Sequence, residues 1–226
     1  MWSPDGKNIA FASNRTGEPK LYVKPADGSG EERLLTDQPG EPTSWSRDGR
    51  FLLFTSASEK TGNDIWVLPD PGRASGASKP YALLATDVNE GAARISPDGR
   101  WFAYNTQESD LSVVFVRPFV PDTNTSAPGA KWLVSKGPSP AVNPRWRADS
   151  GQLVYMANPE LAAVDIDTRK GFQAGTPRRL FAAPQTTLGW DLAPDGKRFL
   201  FVAPPNGARQ APFEVVLNWA TALKRE

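Results

Sequence analysis

The sequence contains neither cysteine nor histidine among its 226 residues. Without a thiol there is no disulfide framework and no cysteine nucleophile, and without an imidazole there is no Ser-His-Asp triad. Zinc sites built from histidine or cysteine ligands are excluded for the same reason. Any catalysis would therefore depend on carboxylates, lysine, tyrosine, serine or a hard cation held by oxygen atoms.

The chain also lacks a charge excess and a long apolar run. Its 26 basic and 25 acidic side chains leave a formal net charge of +1, and the paired basic residues are scattered. No apolar stretch approaches the roughly 20 residues that a membrane span requires. These features predict no nucleic-acid partner and no membrane insertion. The 39% of hydrophobic residues indicates an ordinary globular composition.

One short motif recurs along the chain: an apolar or aromatic residue, a small residue, proline or arginine, then aspartate, glycine and a basic residue. Its copies, including one degenerate copy at Trp146, begin at Trp2, Trp45, Ile95, Trp146 and Leu192. Their aspartates are Asp5, Asp48, Asp98, Asp149 and Asp195. These aspartates are 43 to 51 residues apart, close to the period of a propeller blade, about 40 to 50 residues.

Each copy is followed by the same order of local signals. Pro-Asp-Gly predicts a tight turn, because proline presets one φ, aspartate bonds the nearby backbone and glycine accepts a positive φ. Short β-branched or aromatic runs on both sides of the turn predict strands, and no window has a helical apolar period. The expected fold is an all-β propeller of five visible four-stranded units, at about 1–40, 41–89, 90–141, 142–186 and 187–226.

The turn and aromatic residues that recur within the chain have a structural interpretation. An aspartate in a Pro-Asp-Gly turn is explained by its own hydrogen bonds to the backbone, so the five aspartates are not expected to form a functional ring. The aromatic residues Trp2, Trp45, Trp146 and Trp190 are expected to pack between adjacent blades.

The unit from Trp2 to Thr36 combines Trp-Ser-Pro-Asp-Gly-Lys, an apolar strand, Ser-Asn-Arg-Thr-Gly, Leu-Tyr-Val, a glycine-rich turn and Arg-Leu-Leu-Thr. This series resembles the WD40-like PD40 repeat of TolB-type propellers, and the resemblance covers nearly the whole chain. The segment Val215–Trp219 with Leu223 and Lys224 is similar to the C-terminal propeller of bacterial membrane-bound serine/threonine kinases. The resemblance implies a non-catalytic module that binds a ligand or a protein in the extracytoplasmic part of a larger bacterial protein.

The first and last units have too few residues for all four strands. This predicts that the chain is a fragment of a longer protein. Incomplete blades would leave unpaired strand edges, and such edges pair readily with another chain. We therefore expect a homo-oligomer joined through the terminal blades.

The mouth of the central channel is the usual binding place of a propeller. Loops before the innermost strands are predicted to carry four oxygen ligands that could hold Ca²⁺ or another divalent cation: Glu41, Glu90, Asn143 and Asp191. Arg94 and Arg145 are expected near the same axis, where they either bind a ligand with these four residues or pair with the acids. A protein or a small molecule would bind at this mouth.

A rival hypothesis makes the chain an enzyme. Propellers of the gluconolactonase and paraoxonase type resemble it in outline and hydrolyse esters or lactones with a channel metal, although their own motifs are missing here. A cation held by the same carboxylates would polarise a carbonyl or phosphoryl oxygen and activate a bound water. The alternative is therefore a metal-dependent hydrolase of esters, lactones or phosphotriesters.

Overall fold

A computed structural model describes residues 1–72, 79–108, 110–121, 129–184 and 187–203 of the protein. These residues contain strands and turns and no α-helix. The strands are β1 (Asn8–Ser13), β2 (Lys20–Pro25), β3 (Arg33–Pro39), β4 (Glu41–Trp45), β5 (Phe51–Ser58), β6 (Gly62–Pro69), β7 (Tyr81–Leu84), β8 (Glu90–Ile95), β9 (Trp101–Thr106), β10 (Val113–Pro118), β11 (Trp132–Leu133), β12 (Ala141–Trp146), β13 (Gln152–Ala157), β14 (Glu160–Asp167), β15 (Gln173–Ala174), β16 (Arg178–Ala182), β17 (Gly189–Leu192) and β18 (Phe199–Val202). Within the described ranges no helix is long and apolar enough to cross a membrane.

The strands form five antiparallel sheets, which we call the first to fifth blades. Their orders are β1-β2-β3, β4-β5-β6-β7, β8-β9-β10-β11, β12-β13-β14-β16 and β17-β18, with β15 on the far end of β14. This confirms the propeller fold and its repeated units. Ala141, which the sequence assigned to the third unit, begins the fourth blade. Residues 204–226, which the sequence assigns to the fifth unit, lie outside the described residues.

The five motif copies occupy equivalent places in their blades. In every blade the first residue of the motif pairs with the residue seven positions later. The pairs are Trp2 with Ile9, Trp45 with Leu52, Ile95 with Phe102, Trp146 with Leu153, and Leu192 with Phe199. The repeat therefore fixes the strand register as well as the strand order.

The repeated aspartates close their own turns, as the sequence predicts. The Ser46 hydroxyl donates to Asp48 at 2.6 Å and accepts from the Phe51 backbone N–H at 2.9 Å. Asp48 in turn accepts from the Arg50 N–H at 3.1 Å. The same three bonds recur around Asp5 and Asp98. In the first blade, bonds from Ser3 and from the Lys7 backbone hold the pKa of Asp5 below its ordinary value.

Removing one of these serine hydroxyls should weaken its blade. Ser46→Ala is expected to lower the free energy of unfolding by about 1 kcal/mol, because the buried Phe51 N–H loses its acceptor. Ser29→Ala is the matched control, since its hydroxyl makes a 2.6 Å bond to Asp27 in an exposed turn. Urea unfolding of both variants measures the difference, and equal losses would contradict the structural role of the repeated serine.

Both faces of the second, third and fourth sheets are buried, because each hydrophobic cluster joins two neighbouring blades. Along β5, Phe51 and Leu53 pack against the third blade, whereas Leu52 and Phe54 pack against the first. This alternation explains why the strand is apolar at consecutive positions.

Three of the four tryptophans expected between blades lie there. Trp45 packs in the cluster of the first and second blades, Trp146 in that of the third and fourth, and Trp190 in that of the fourth and fifth. The prediction was wrong for Trp2, whose exposed fraction is 61%. Trp45 packs against the blade that precedes its own. Trp2 lies in the first described blade, so no described blade precedes it in the chain.

Candidate functional site

The first strands of the second to fifth blades lie side by side. β4 contacts β8, β8 contacts β12, and β12 contacts β17. We call the space that these strands border the channel. All six predicted site residues lie on these strands rather than in the preceding loops: Glu41, Glu90, Arg94, Asn143, Arg145 and Asp191.

Glu41 and Asn143 line separate clefts. Glu41 is exposed at the start of β4 and borders a cleft of about 420 Å³, with Glu18 and Asn63 on its other sides. Asn143 borders a cleft of about 430 Å³ between the fourth and fifth blades. It sits where the register of β12 shifts, with a φ of 53°, and Ala92 holds the corresponding place in β8 with a φ of 51°. Asparagine tolerates this left-handed backbone better than most residues, so its presence there has a structural cause.

Glu90 is buried, with an exposed fraction of 2%, although the sequence places it at an open channel mouth. The Thr86 hydroxyl donates to its Oε1, while its Oε2 has no hydrogen-bond partner. Burial raises the pKa of Glu90, and the negative charge of nearby Asp64 raises it further. Asp64 is itself buried and accepts from the Thr61 hydroxyl at 2.9 Å on one oxygen, while the other has no partner. Burial also raises the pKa of Asp64.

Strand register explains why Glu41 and Glu90 have opposite environments. Glu41 pairs with Thr55, whose counterpart in the third blade is Asn105. Glu90 pairs one position further along, with Thr106. A shift of one residue turns a side chain to the other face of the sheet. The two glutamates therefore cannot act as equivalent ligands of one channel cation.

The structure does not gather the predicted metal ligands. Among the described residues, no group of three or more acidic side chains is close enough to hold a metal ion. Glu41, Glu90 and Asp191 are thus in three different settings, and binding of Ca²⁺ or a related cation stays a prediction.

Arg94, Arg145 and Asp191 do come together. They share one register position with Ser44, because each pairs with the residue nine places later in the chain. We call the set Ser44, Arg94, Arg145 and Asp191 the channel ring. It lies about two residues, or roughly 7 Å, deeper along the first strands than Glu41.

Ser44 and Arg145 each bond to the first strand of the next blade. The Ser44 hydroxyl accepts from the Ile95 N–H at 2.9 Å. Arg145 donates to Asp191 Oδ1 at 3.2 Å and to the Trp190 carbonyl at 3.1 Å. Its guanidinium also lies 5.4 Å from the centre of the Trp190 ring. Burial lowers the pKa of Arg145, and Asp191 opposes that shift.

Arg94 is the exception in the ring. Its Nε is buried and has no hydrogen-bond partner among the described residues. Burial lowers the pKa of Arg94, the positive charge of Arg145 lowers it further, and Asp191 only partly compensates. Because an arginine has such a high intrinsic pKa, its guanidinium stays charged at neutral pH. The ring therefore contains two guanidinium groups and one carboxylate.

Known proteins share this repeat and this fold. No family model matches the sequence. The chain is 32% identical to the uncharacterized peptidase YuxL of Bacillus subtilis over 48% of its length and 22% of that protein. It is 33% identical to the Tol-Pal system protein TolB of Anaeromyxobacter dehalogenans over 39% of its length and 20% of that protein. The crystal structure of TolB from Acinetobacter baumannii matches 88% of this chain and 46% of its own, with a TM-score of 0.66 at 22% identity. The chain has a β-propeller fold like that of TolB.

This TolB-like propeller spans about a fifth of the length of the curated relatives just named. The kinase resemblance rests on residues 215–224, which lie outside the described residues. The sequence did not lead us to predict Ser44 or Asp64 as residues of the site. Ser44 could have been found, since each ring residue stands immediately before the first residue of a motif copy. Asp64 gave no such signal, because it is a single acid inside the third strand of its blade.

Proposed function

We propose that this TolB-like propeller is a non-catalytic module that binds a protein segment at the mouth of its channel. The observation that carries the proposal is the cleft of about 430 Å³ between the fourth and fifth blades. Val142, Leu188 and Trp190 give it an apolar lining, and Asn143 adds polar groups. Leu188 is 72% exposed. An exposed apolar side chain at a concave rim is typical of an interaction site.

The resemblance to TolB supports a protein as the partner. A small-molecule ligand and an extracytoplasmic location stay predictions. Self-association through the terminal blades is a further prediction, which light scattering over a wide range of protein concentrations measures.

Photo-crosslinking at the cleft tests the proposal. A benzophenone amino acid at Leu188 should crosslink one dominant protein in an extract of the source organism, whereas the same probe at Leu133, exposed on the outer strand β11, should not. With that protein purified, Leu188→Asp should weaken binding by about tenfold or more, because burying the new charge is costly. Leu133→Asp should leave the affinity unchanged.

Two results would contradict the proposed function. Equal crosslinking from Leu188 and Leu133 would show that the cleft is not a specific site. Hydrolysis of an aryl ester that a chelator abolishes and a divalent cation restores would make the protein a metal-dependent hydrolase instead.

A further inference from the structure

Arg94 and Arg145 occupy equivalent positions in the channel ring but have different neighbours. Arg145 faces the ring residue of the next blade, Asp191, and its Nε donates to that carboxylate at 3.2 Å. The ring residue of the blade after Arg94 is Arg145 itself. Arg94 therefore meets a cation at the place where Arg145 meets a carboxylate, and its buried Nε has no partner within the described part of the chain.

The surroundings of Arg94 lower the stability of the folded protein. A buried donor without an acceptor loses its hydration and gains nothing in return, and the loss is greater for a charged group. The proximity of Arg145 adds repulsion between like charges. Arg94 as a whole is partly exposed, so a carboxylate at the exposed side of its guanidinium would pair with its charge in the two-pronged geometry that guanidinium favours and reduce the repulsion.

We propose that Arg94 anchors a carboxylate side chain, aspartate or glutamate, of the protein segment that enters the channel. The inference rests on the proposed function and names the chemistry of the partner. A carboxylate is the group that occupies the equivalent place beside Arg145, where Asp191 pairs with it at 3.2 Å. Asp191, with its side chain 71% exposed, would repel the second negative charge of a phosphate dianion.

Nuclear magnetic resonance of the arginine Nε–H groups tests this directly. The probe is the capped peptide acetyl-Gly-Ala-Glu-Ala-Gly-amide, titrated into the full chain, with the Gln analogue as the matched peptide. We expect the Arg94 Nε–H signal to shift saturably with the Glu peptide and not with the Gln peptide. The Trp146 indole N–H, which donates to the Arg94 carbonyl at 2.9 Å, gives a second signal that survives replacement of Arg94.

Three variants separate the anchoring role from general effects of charge. Arg94→Gln should weaken binding of the Glu peptide by about tenfold or more, as expected for the loss of a charged hydrogen bond. Arg198→Gln removes an exposed arginine that pairs with Asp195 at 3.4 Å, and should change nothing. Arg145→Asp would give Arg94 a carboxylate from its own chain, so the Glu peptide should no longer bind. This third variant keeps the test valid if Arg94→Gln does not fold.

The outcomes that overturn the inference are distinct from those that overturn the proposed function. Equal shifts with the Glu and Gln peptides, or tighter binding of inorganic phosphate than of the Glu peptide, would reject a carboxylate anchor at Arg94. If Leu188 crosslinks a specific partner while the Arg94 signal does not respond to the Glu peptide, only the anchor is wrong. If neither responds, both proposals fail.

Discussion

Leu53→Ala is expected to lower the free energy of unfolding by about 2–5 kcal/mol, the range for deleting a fully buried leucine side chain. Leu53 is completely buried on β5, in the cluster that joins the second and third blades. Its removal would leave a cavity between two sheets whose backbones are fixed by their own ladders, so the surroundings can relax only in part. Thermal or urea unfolding measures the loss.

The repeat supplies a matched control for this substitution. Leu200 pairs with Asp191 in the fifth blade as Leu53 pairs with Ser44 in the second, so the two leucines hold the same register position. Leu200 is 67% exposed. Leu200→Ala should therefore change the free energy of unfolding by less than about 0.5 kcal/mol. Similar losses for the two variants would show that packing between blades is not the main source of stability.

The blade pattern was predictable because local chemistry determines it. Each repeated turn closes one hairpin, with a serine hydroxyl in three of the blades. The consecutive apolar residues Phe51 to Phe54 indicate a strand that is buried on both faces. The short strand β15 was not predictable, since two residues are too few to show an apolar periodicity.

The site was harder to predict than the fold, because the strand register decides which face of the sheet each side chain occupies. Glu41 stands four residues before its motif copy and Glu90 stands five before the next, and the pairing of their strands shows that this difference of one residue turns them to opposite faces. The unpartnered Nε of Arg94 depends on which residue the neighbouring blade presents. That contact lies between units, and a repeat motif describes only what happens within one.

Replacing both buried acids by their amides, as Asp64→Asn with Glu90→Gln, is expected to raise the free energy of unfolding at pH 7. Each carboxylate has one buried oxygen without a partner, and a buried charge that is not fully hydrogen-bonded costs more than the neutral amide that would replace it. The amides keep the oxygens that accept from Thr61 and Thr86 and remove the two charges. We expect a gain of about 2 kcal/mol for the double variant. Glu41→Gln, at an exposed acid, is the control and should have no effect.

The gain should depend on pH with a definite sign. Burial raises the pKa of both Asp64 and Glu90 in the folded protein. Between the ordinary carboxyl pKa and the raised values the folded state binds more protons than the unfolded state, so the parent protein loses stability as the pH rises through that window. The amide variant has no such loss. The difference between the two proteins should therefore grow as the pH rises through that window, and it should disappear below about pH 3, where both carboxyls are largely protonated in either state.

The opposite result would indicate a compensating positive charge beside Asp64 and Glu90. If the double variant is less stable than the parent at pH 7, some positive charge must compensate the two carboxylates in the folded protein. Arg117, whose charge lowers the pKa of Glu90 against the effect of burial, supplies part of it. Ca²⁺ is the candidate for the rest, since carboxylate oxygens are its usual ligands. Ca²⁺ should then raise the unfolding temperature of the parent and leave that of the double variant unchanged. The cation predicted at the channel mouth would in that case lie between the second and third blades, with Asp64 in the place that the sequence gave to Glu41.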